Sequence, residues 1–323
     1  MNTPCGSAPA ATPRILGMRD AFFEALFEIF KKDPRCVLIS ADNGAPTMDR
    51  FIAELPKQFV QVGIAEQQMI GMASGLAIEG RKVWCYAIAP FVTIRVAEFV
   101  KLDMCAANLP ITCLGVGAGY AYDTMSVSHH CVEDISIMRA MPNLTIWSPA
   151  DSATARELAQ ASYELKGPGY IRFDRTGLPE IEGHVDVDLG HRWVVDPVFN
   201  YRIDVTIIAS GVAVHTALAV KALMEPSIRV AVLDLYRLKP VHTTAIRVAA
   251  KCGRIVTLEE HFLAGGLGSL VLETLNDASV YVPVLRIGVP DCYTWGLGGR
   301  EAIWEKYGLT APQVAQKITE WIR

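Results

Sequence analysis

Gly63-Ile64-Ala65-Glu66-Gln67 follows a short apolar run and opens a helical pattern that we predict to span residues 64–79. The pattern places the Glu66 carboxyl on the first turn of the helix, in otherwise apolar surroundings. Because burial of even a neutral polar group without a partner costs roughly 2–7 kcal/mol, we expect this carboxyl to be kept for a ligand. A first-turn glutamate that is exposed to water and stabilised by the helix dipole is the alternative that the spacing alone leaves open.

The same predicted helix carries Gly71 and Gly75, which are four residues apart and therefore lie on one face. Each glycine inside a helix costs about 1 kcal/mol relative to alanine. Close packing is the expected compensation, because a face without side chains lets another backbone approach. We therefore expect a partner helix to pack against this face.

Apolar runs of strand length alternate along the chain with helical patterns such as residues 93–107. Runs such as 36–40 and 82–87 are largely apolar without alternation, which is typical of parallel strands covered on both faces. The sequence therefore predicts an α/β fold with two domains, each a mainly parallel sheet flanked by helices. The predicted boundaries are a disordered tail at 1–13, a first domain at 14–180, a polar linker at 181–202 and a second domain at 203–323.

Composition excludes several classes of protein. Of 323 residues, 51% are hydrophobic and 20% are charged, and the formal net charge is −4, so no basic field argues for nucleic acid or an anionic membrane. The apolar stretches are too short to span a bilayer. The eight cysteines are scattered without a C-x-x-C pair, which favours a reduced cytoplasmic protein over a disulfide framework or a zinc site. We expect no metal ligands in this chain.

Several motifs occur in an order that is similar to one known family. The five residues of the opening stretch match a signature of transketolases and deoxyxylulose-phosphate synthases. Ser128-His129-His130, Pro149-Ala150-Asp151 and Leu258-Glu259-Glu260-His261 follow in the family's order. From about residue 16 to its end the chain resembles the pyrimidine-binding and carboxyl-terminal domains of transketolases. No Gly-Asp-Gly motif occurs, so the chain resembles one half of a split transketolase.

The resemblance implies a task for each matching residue. Glu66 would activate thiamine diphosphate by hydrogen-bonding its aminopyrimidine ring, and Phe91 would stack on that ring. His129 would contact substrate hydroxyls and shuttle protons, and Arg175 would bind a substrate phosphate. Taken without the resemblance, the last three are as readily a core phenylalanine, a solvated loop histidine and an arginine in a surface salt bridge. The further candidates are Asp42, Ile64 and Arg95 for the cofactor, and His130 and Asp123 for the substrate.

One departure from the family leaves the sugar open. Transketolases carry an aspartate before the histidine, where it meets a sugar hydroxyl, and in ungapped register Met125 stands there. A deoxy, sulfonated or otherwise modified sugar would suit that change.

The resemblance also implies partners. A separate subunit with the Gly-Asp-Gly motif would hold the diphosphate and Mg²⁺, and the second domain of this chain would stabilise a dimer within a heterotetramer. The implied activity is transfer of a two-carbon ketol unit from a ketose to an aldose. The alternatives are the beta subunit of a 2-oxo acid dehydrogenase, a deoxyxylulose-phosphate synthase, and a non-catalytic assembly subunit.

Overall fold

The computed structural model describes residues 16–41, 44, 46–195, 203–295 and 298–323. The predicted cofactor contact Asp42 and the predicted tail at 1–13 lie outside the described residues. Within them the strands form two mainly parallel sheets covered by helices, which confirms the predicted two-domain α/β fold. The strands of the described residues are, in chain order, β1 Cys36–Ser40, β2 Phe59–Gln61, β3 Lys82–Ile88, β4 Ile111–Val116, β5 Thr145–Trp147, β6 Gly169–Phe173, β7 Arg192–Val195, β8 Val205–Ala209, β9 Val230–Asp234, β10 Arg237–Lys239, β11 Ile255–Phe262 and β12 Val284–Val289.

The first sheet has the strand order β10-β5-β6-β4-β3-β1-β2, and the second has the order β12-β11-β8-β9-β7. Neighbouring strands are parallel except at one edge of each sheet, where β10 is antiparallel to β5 and β7 is antiparallel to β9. β10 belongs to the sequence predicted as the second domain, yet it pairs with the first sheet. β7 lies inside the segment predicted as a linker. Both short edge strands lack the long apolar run on which the strand predictions rested.

The helices lie between the strands and cover both sheets. The helices of the described residues are α1 Met18–Phe30, α2 Asp49–Glu54, α3 Glu66–Ile78, α4 Ala89–Val92, α5 Ala97–Phe99, α6 Asp134–Arg139, α7 Ser152–Glu164, α8 Ala213–Met224, α9 Thr243–Ala250, α10 Leu267–Asp277, α11 Arg300–Tyr307 and α12 Ala311–Ile322.

The prediction of one continuous helix at 93–107 is wrong. Thr93 leaves the helical region (φ −123°, ψ −82°), and its hydroxyl donates to the Ala89 carbonyl at 2.6 Å. The chain then continues as a 3-10 turn, the short α5 and a π-helical turn. These breaks turn the chain over the end of β3 and place Phe91 and Arg95 close to the start of α3.

Each face of the first sheet is covered by its own apolar cluster. On one side α1 and α7 pack an aromatic-rich cluster that includes Phe22, Phe51 and Trp84. On the other side the buried face of α3 joins a cluster that continues into the second domain through residues such as Ile208 and Leu233. The two sheets therefore share a core, which fixes the second domain against the first.

Three further observations concern the part of the chain that the structure describes. None of its helices is long and apolar enough to cross a membrane. Its seven cysteines are all free, and five of them are buried. Among these residues no group of three or more His, Cys, Asp or Glu side chains is placed to hold a metal ion.

Candidate functional site

The predicted site residues follow the carboxyl ends of strands in the first sheet and lie along one edge of that sheet. β2, β3, β4 and β6 are parallel, so their carboxyl ends meet on the same side, which is where open α/β sheets bind ligands. β2 leads through Gly63 into α3 and Glu66, and β3 leads into Phe91. β4 is followed by the loop 117–131, which carries His129, and β6 is followed directly by Arg175. The topology therefore brings together residues that are far apart in sequence.

Glu66 is buried, as the sequence predicted, but it is not without a partner. Its side chain is 3% exposed, and Arg95 Nη1 donates to its Oε2 at 3.1 Å. The premise that a buried Glu66 would lack a protein partner is therefore wrong. Arg95 is 39% exposed, so the glutamate of this pair is buried and the arginine is in contact with solvent.

The Arg95 guanidinium also lies over an aromatic ring. Its Cζ is 4.2 Å from the centre of the Phe91 ring. The imidazole of His129 also packs against Phe91, with ring centres 5.2 Å apart and an interplanar angle of 70°. The Arg95 guanidinium, a flat group with N–H donors, therefore contacts Phe91 and Glu66 at the same time.

The row of contacts continues from His129 to the end of β6. The Tyr122 ring lies 6.0 Å from the His129 ring, and Arg175 lies over the Tyr122 ring with its Cζ 4.9 Å from the ring centre. Gly117 makes room for the tyrosine, because a Cβ on this residue (φ +93°) would be 2.2 Å from Tyr122 Cδ2. We call the complete row the site wall: Glu66, Arg95, Phe91, His129, Tyr122 and Arg175.

Tyr122 is the member of the site wall that sequence reasoning missed. It lies in a loop, where neither helical nor strand periodicity identifies which side chains point together. The glycines at 117 and 119 on either side of Ala118 were the available signal, since a glycine beside an aromatic residue in a loop often makes room for the ring.

His129 has the electrostatics of a neutral base. Burial of the ring lowers the pKa of His129, and the neighbouring His130 and Arg95 lower it further. The imidazole is therefore mainly neutral at pH 7 and can accept a proton. Its Nδ1 lies 2.9 Å from Ser128 Oγ, which fixes the ring while leaving the other nitrogen for a ligand.

Two predicted substrate contacts turn away from the site wall. His130 is buried, its ring packs against Tyr120 at 4.9 Å, and its Nε2 is 3.3 Å from the Asp123 carbonyl oxygen. The Asp123 carboxylate accepts from the Thr124 amide at 2.8 Å and from the Arg300 amide of the second domain at 2.9 Å. Both groups have partners within the loop or in the second domain, and their substrate roles stay predictions. Met125, on the same loop, is 49% exposed.

The face of α3 next to Glu66 is open. Ile64 and Ile78 are 77% and 71% exposed, and a Cβ added to Gly71 or Gly75 would meet no atom within 4 Å. We call these four residues the α3 outer face. The packing partner expected for the two glycines is not found among the described residues, and the predicted cofactor contact Ile64 points outward from this face.

The chain belongs to the transketolase family. The pyrimidine binding domain of transketolase matches residues 15–180, and the transketolase C-terminal domain matches residues 200–314. Within that family it is the carboxyl-terminal subunit of a split transketolase, a transferase subunit whose kind implies thiamine diphosphate and a separate partner subunit.

Full-length relatives support this assignment. An apulose-4-phosphate transketolase subunit of Phocaeicola vulgatus is 36% identical over 96% of this chain and 98% of its own length. The 6-deoxy-6-sulfo-D-fructose transketolase subunit of a Clostridium species is 34% identical, over 94% of each chain. A solved structure described as a split gene transketolase, an inactive beta4 tetramer, superposes with a TM-score of 0.82 at 33% identity, covering 94% of this chain and 97% of that one.

Proposed function

We propose that this chain supplies the pyrimidine side of a two-component transketolase, which moves a two-carbon ketol unit from a ketose to an aldose. A separate subunit with a Gly-Asp-Gly motif would hold the diphosphate of thiamine diphosphate and Mg²⁺. The observation that carries the proposal is the site wall, in which a buried carboxylate, an aromatic face, a neutral imidazole and an exposed guanidinium follow one another at contact distance.

The cofactor's ring fits the cofactor end of the site wall. Arg95 already places a flat group with N–H donors on Phe91 and against Glu66, at 4.2 Å and 3.1 Å. An aminopyrimidine is likewise flat and polar at its edge, so Phe91 would stack on it and Glu66 would hydrogen-bond its ring nitrogen. When bound, thiamine diphosphate supplies the carbon nucleophile and the electron sink for ketol transfer.

The other end of the site wall suits an anionic sugar. His129, which is neutral at pH 7, would move protons at the sugar hydroxyls, and Arg175 would bind an anionic group with its guanidinium fork. One relative is named for a sugar phosphate and another for a sulfo-sugar, and both phosphate and sulfonate are anions of this kind. The exposed thioether of Met125 favours a substrate without a hydroxyl to recognise at that point.

The need for a partner is supported by the chain's own surface. The α3 outer face combines two exposed isoleucines with two glycines, directly beside Glu66. Such a face allows close approach of another chain, and the similar split gene transketolase subunit is described as inactive in its beta4 tetramer. We propose a dimer of this chain within a heterotetramer in the cytoplasm.

Reconstitution tests the proposal. The purified chain is mixed with its candidate partner, thiamine diphosphate and Mg²⁺, and ketol transfer between sugar phosphates is followed. Glu66→Ala should abolish turnover and leave assembly intact, whereas Glu79→Ala, an exposed glutamate at the other end of α3, should leave both unchanged.

Three results would contradict it. Full turnover of Glu66→Ala would remove the role given to Glu66, and full turnover of the chain without a partner would remove the need for a second subunit. Decarboxylation of a 2-oxo acid with lipoyl reduction would favour a dehydrogenase subunit. An absence of cofactor binding by the reconstituted pair in calorimetry would favour a non-catalytic assembly subunit.

A further inference from the structure

The loop 117–131 carries two members of the site wall, Tyr122 and His129, and its shape depends on the second domain. The base of the loop is closed by an antiparallel bridge between Gly119 and Cys131. Beyond that bridge, the Tyr120 hydroxyl lies 3.0 Å from Thr294 Oγ1, and the Phe262 amide donates to the Val132 carbonyl at 2.7 Å. The second domain therefore contacts the first part of the loop and the residue that directly follows the loop.

Arg300 is the centre of this contact. It is the first residue of α11, and its guanidinium forms two paired interactions, one with Glu260 at 2.8 and 2.6 Å and one with Asp174 at 3.1 and 2.6 Å. The side chains of all three residues are at most 11% exposed. Asp174 is the residue immediately before Arg175, so the second domain holds the end of β6 where the site wall ends.

Glu260 and the backbone amide of Arg300 connect this cluster to the loop. Glu260 Oε2 accepts from the Tyr120 amide at 3.0 Å, and the fit is close enough that a Cβ on Gly119 (φ +61°) would lie 1.9 Å from the same oxygen. The backbone amide of Arg300 donates to Asp123 Oδ2 at 2.9 Å. Asp123 is next to Tyr122, and its carbonyl oxygen lies 3.3 Å from His130 Nε2.

The chemistry of the cluster requires arginine at its centre. Burial acts to raise the pKa of Asp174, but the Arg300 guanidinium and the Thr176 hydrogen bonds outweigh it, so that the pKa is lowered and the carboxylate stays charged. Two buried carboxylates need a cation that reaches both with several donors. The planar guanidinium has five N–H groups in a fixed fork, whereas a lysine ammonium is a point charge that cannot pair with both carboxylates in this way.

We propose that Arg300 is a positioning residue of the proposed transketolase: clamped between Asp174 and Glu260, it fixes the loop that presents His129 and Tyr122 to the substrate. The second domain thereby sets the geometry of the substrate end of the site wall. The cofactor end, Glu66 and Phe91, lies on elements that Arg300 does not touch. This inference rests on the proposed function for its catalytic consequence, but the restraint of the loop can be measured separately.

Three variants of the full chain test the restraint. Asp123→Ala removes the acceptor for the Arg300 amide and leaves the buried ion cluster intact, so folding is preserved. Asp123→Asn keeps a carbonyl oxygen for that amide. Arg300→Lys keeps the charge and loses the fork, and Arg247→Lys, at an exposed arginine on α9, is the matched control.

Three measurements are made on each variant. Amide hydrogen exchange of residues 117–131 is followed in the full chain, and kcat/KM for a sugar phosphate and the affinity for thiamine diphosphate are measured in the reconstituted pair. Asp123→Ala and Arg300→Lys should speed loop exchange and lower kcat/KM by about tenfold or more, because small displacements of positioned groups have effects of this size. Cofactor affinity should stay unchanged in both variants. Asp123→Asn should show loop exchange almost as slow as that of wild type and most of the wild-type kcat/KM.

The outcomes separate the two proposals. Loop exchange that is unchanged in both Asp123→Ala and Arg300→Lys would overturn the positioning role. An Asp123→Asn variant as inactive as Asp123→Ala, with normal loop exchange, would overturn it too and would return Asp123 to direct substrate binding. A wild-type pair without ketol transfer would count against the proposed function alone, since the exchange rates would still decide the role of Arg300.

Discussion

Substitution of Gly71 should have opposite effects on the chain alone and on its assembly. A Cβ at Gly71 or Gly75 would meet no atom within 4 Å, and both residues lie inside the helix α3. Glycine inside a helix is destabilising by about 0.5–1 kcal/mol relative to alanine. Gly71→Ala should therefore raise the free energy of unfolding of the chain alone by about 0.5–1 kcal/mol, and Gly75→Ala should do the same.

Gly71→Leu separates stability from assembly. Leucine also favours the helix over glycine, so the dilute chain should be at least as stable as wild type. Its side chain would nevertheless project from the α3 outer face between Ile64 and Ile78 and hold a second backbone away. Denaturant unfolding at several protein concentrations gives the stability, and native mass spectrometry of the chain with its partner gives the assembly. We expect a stable subunit that no longer forms the active complex.

A control and two outcomes make this test decisive. Glu157→Leu adds a leucine on the exposed side of α7, which covers the opposite face of the first sheet, and should leave assembly intact. If Gly71→Leu assembles and turns over normally, the α3 outer face is not the contact surface. If Gly71→Ala destabilises the dilute chain, the α3 outer face is not open in solution and there is no free space beside Gly71.

Three further predictions concern single groups. Phe91→Ala should weaken thiamine diphosphate binding about tenfold by calorimetry, and Phe91→Tyr should not, because the ring face is worth about 0.5–1.5 kcal/mol beyond its burial. Arg95→Ala should cost about 1–3 kcal/mol of unfolding free energy by leaving Glu66 buried without a donor, and this cost should vanish in a Glu66→Gln background. Burial lowers the pKa of His261 to about 4, so the folded chain binds fewer protons than the unfolded chain below about pH 6.5. Wild type should therefore lose about 1.4 kcal/mol per pH unit more than His261→Gln between about pH 6.5 and 4 in acid unfolding curves.

The elements that the sequence predicted well are those with a long-range pattern. Largely apolar runs identified the central strands, because a parallel strand buried on both faces is made mostly of apolar residues. The short edge strands β7 and β10 have no such signature, since most of their residues are only partly buried. Their pairing is decided by tertiary contacts, which is why the linker and the second domain each contribute a strand that the pattern did not reveal.

The site residues likewise fall into those that the sequence could predict and those that it could not. Glu66, Phe91, His129 and Arg175 follow strand ends, so their convergence is a consequence of parallel topology and can be expected from sequence. Tyr122 and Arg300 owe their places to a loop and to the packing of one domain on the other. A sequence shows Arg300 as one more charge at the start of a helix, and only the fold shows that it stands between two buried carboxylates.

The position of Arg95 explains how the chain tolerates a buried carboxylate. A Glu66 without a donor would carry the full cost of desolvation, yet Arg95 provides one at 3.1 Å and stacks on Phe91 at 4.2 Å. An aminopyrimidine ring would need that same aromatic face, so in the proposed function the ring and the guanidinium compete for Phe91. Arg95 is 39% exposed, so it can withdraw toward solvent once the ring takes its place beside Glu66. Glu66 would then have a hydrogen-bond partner in both states: it accepts from Arg95 before the cofactor binds, and it would share a proton with the ring nitrogen afterwards.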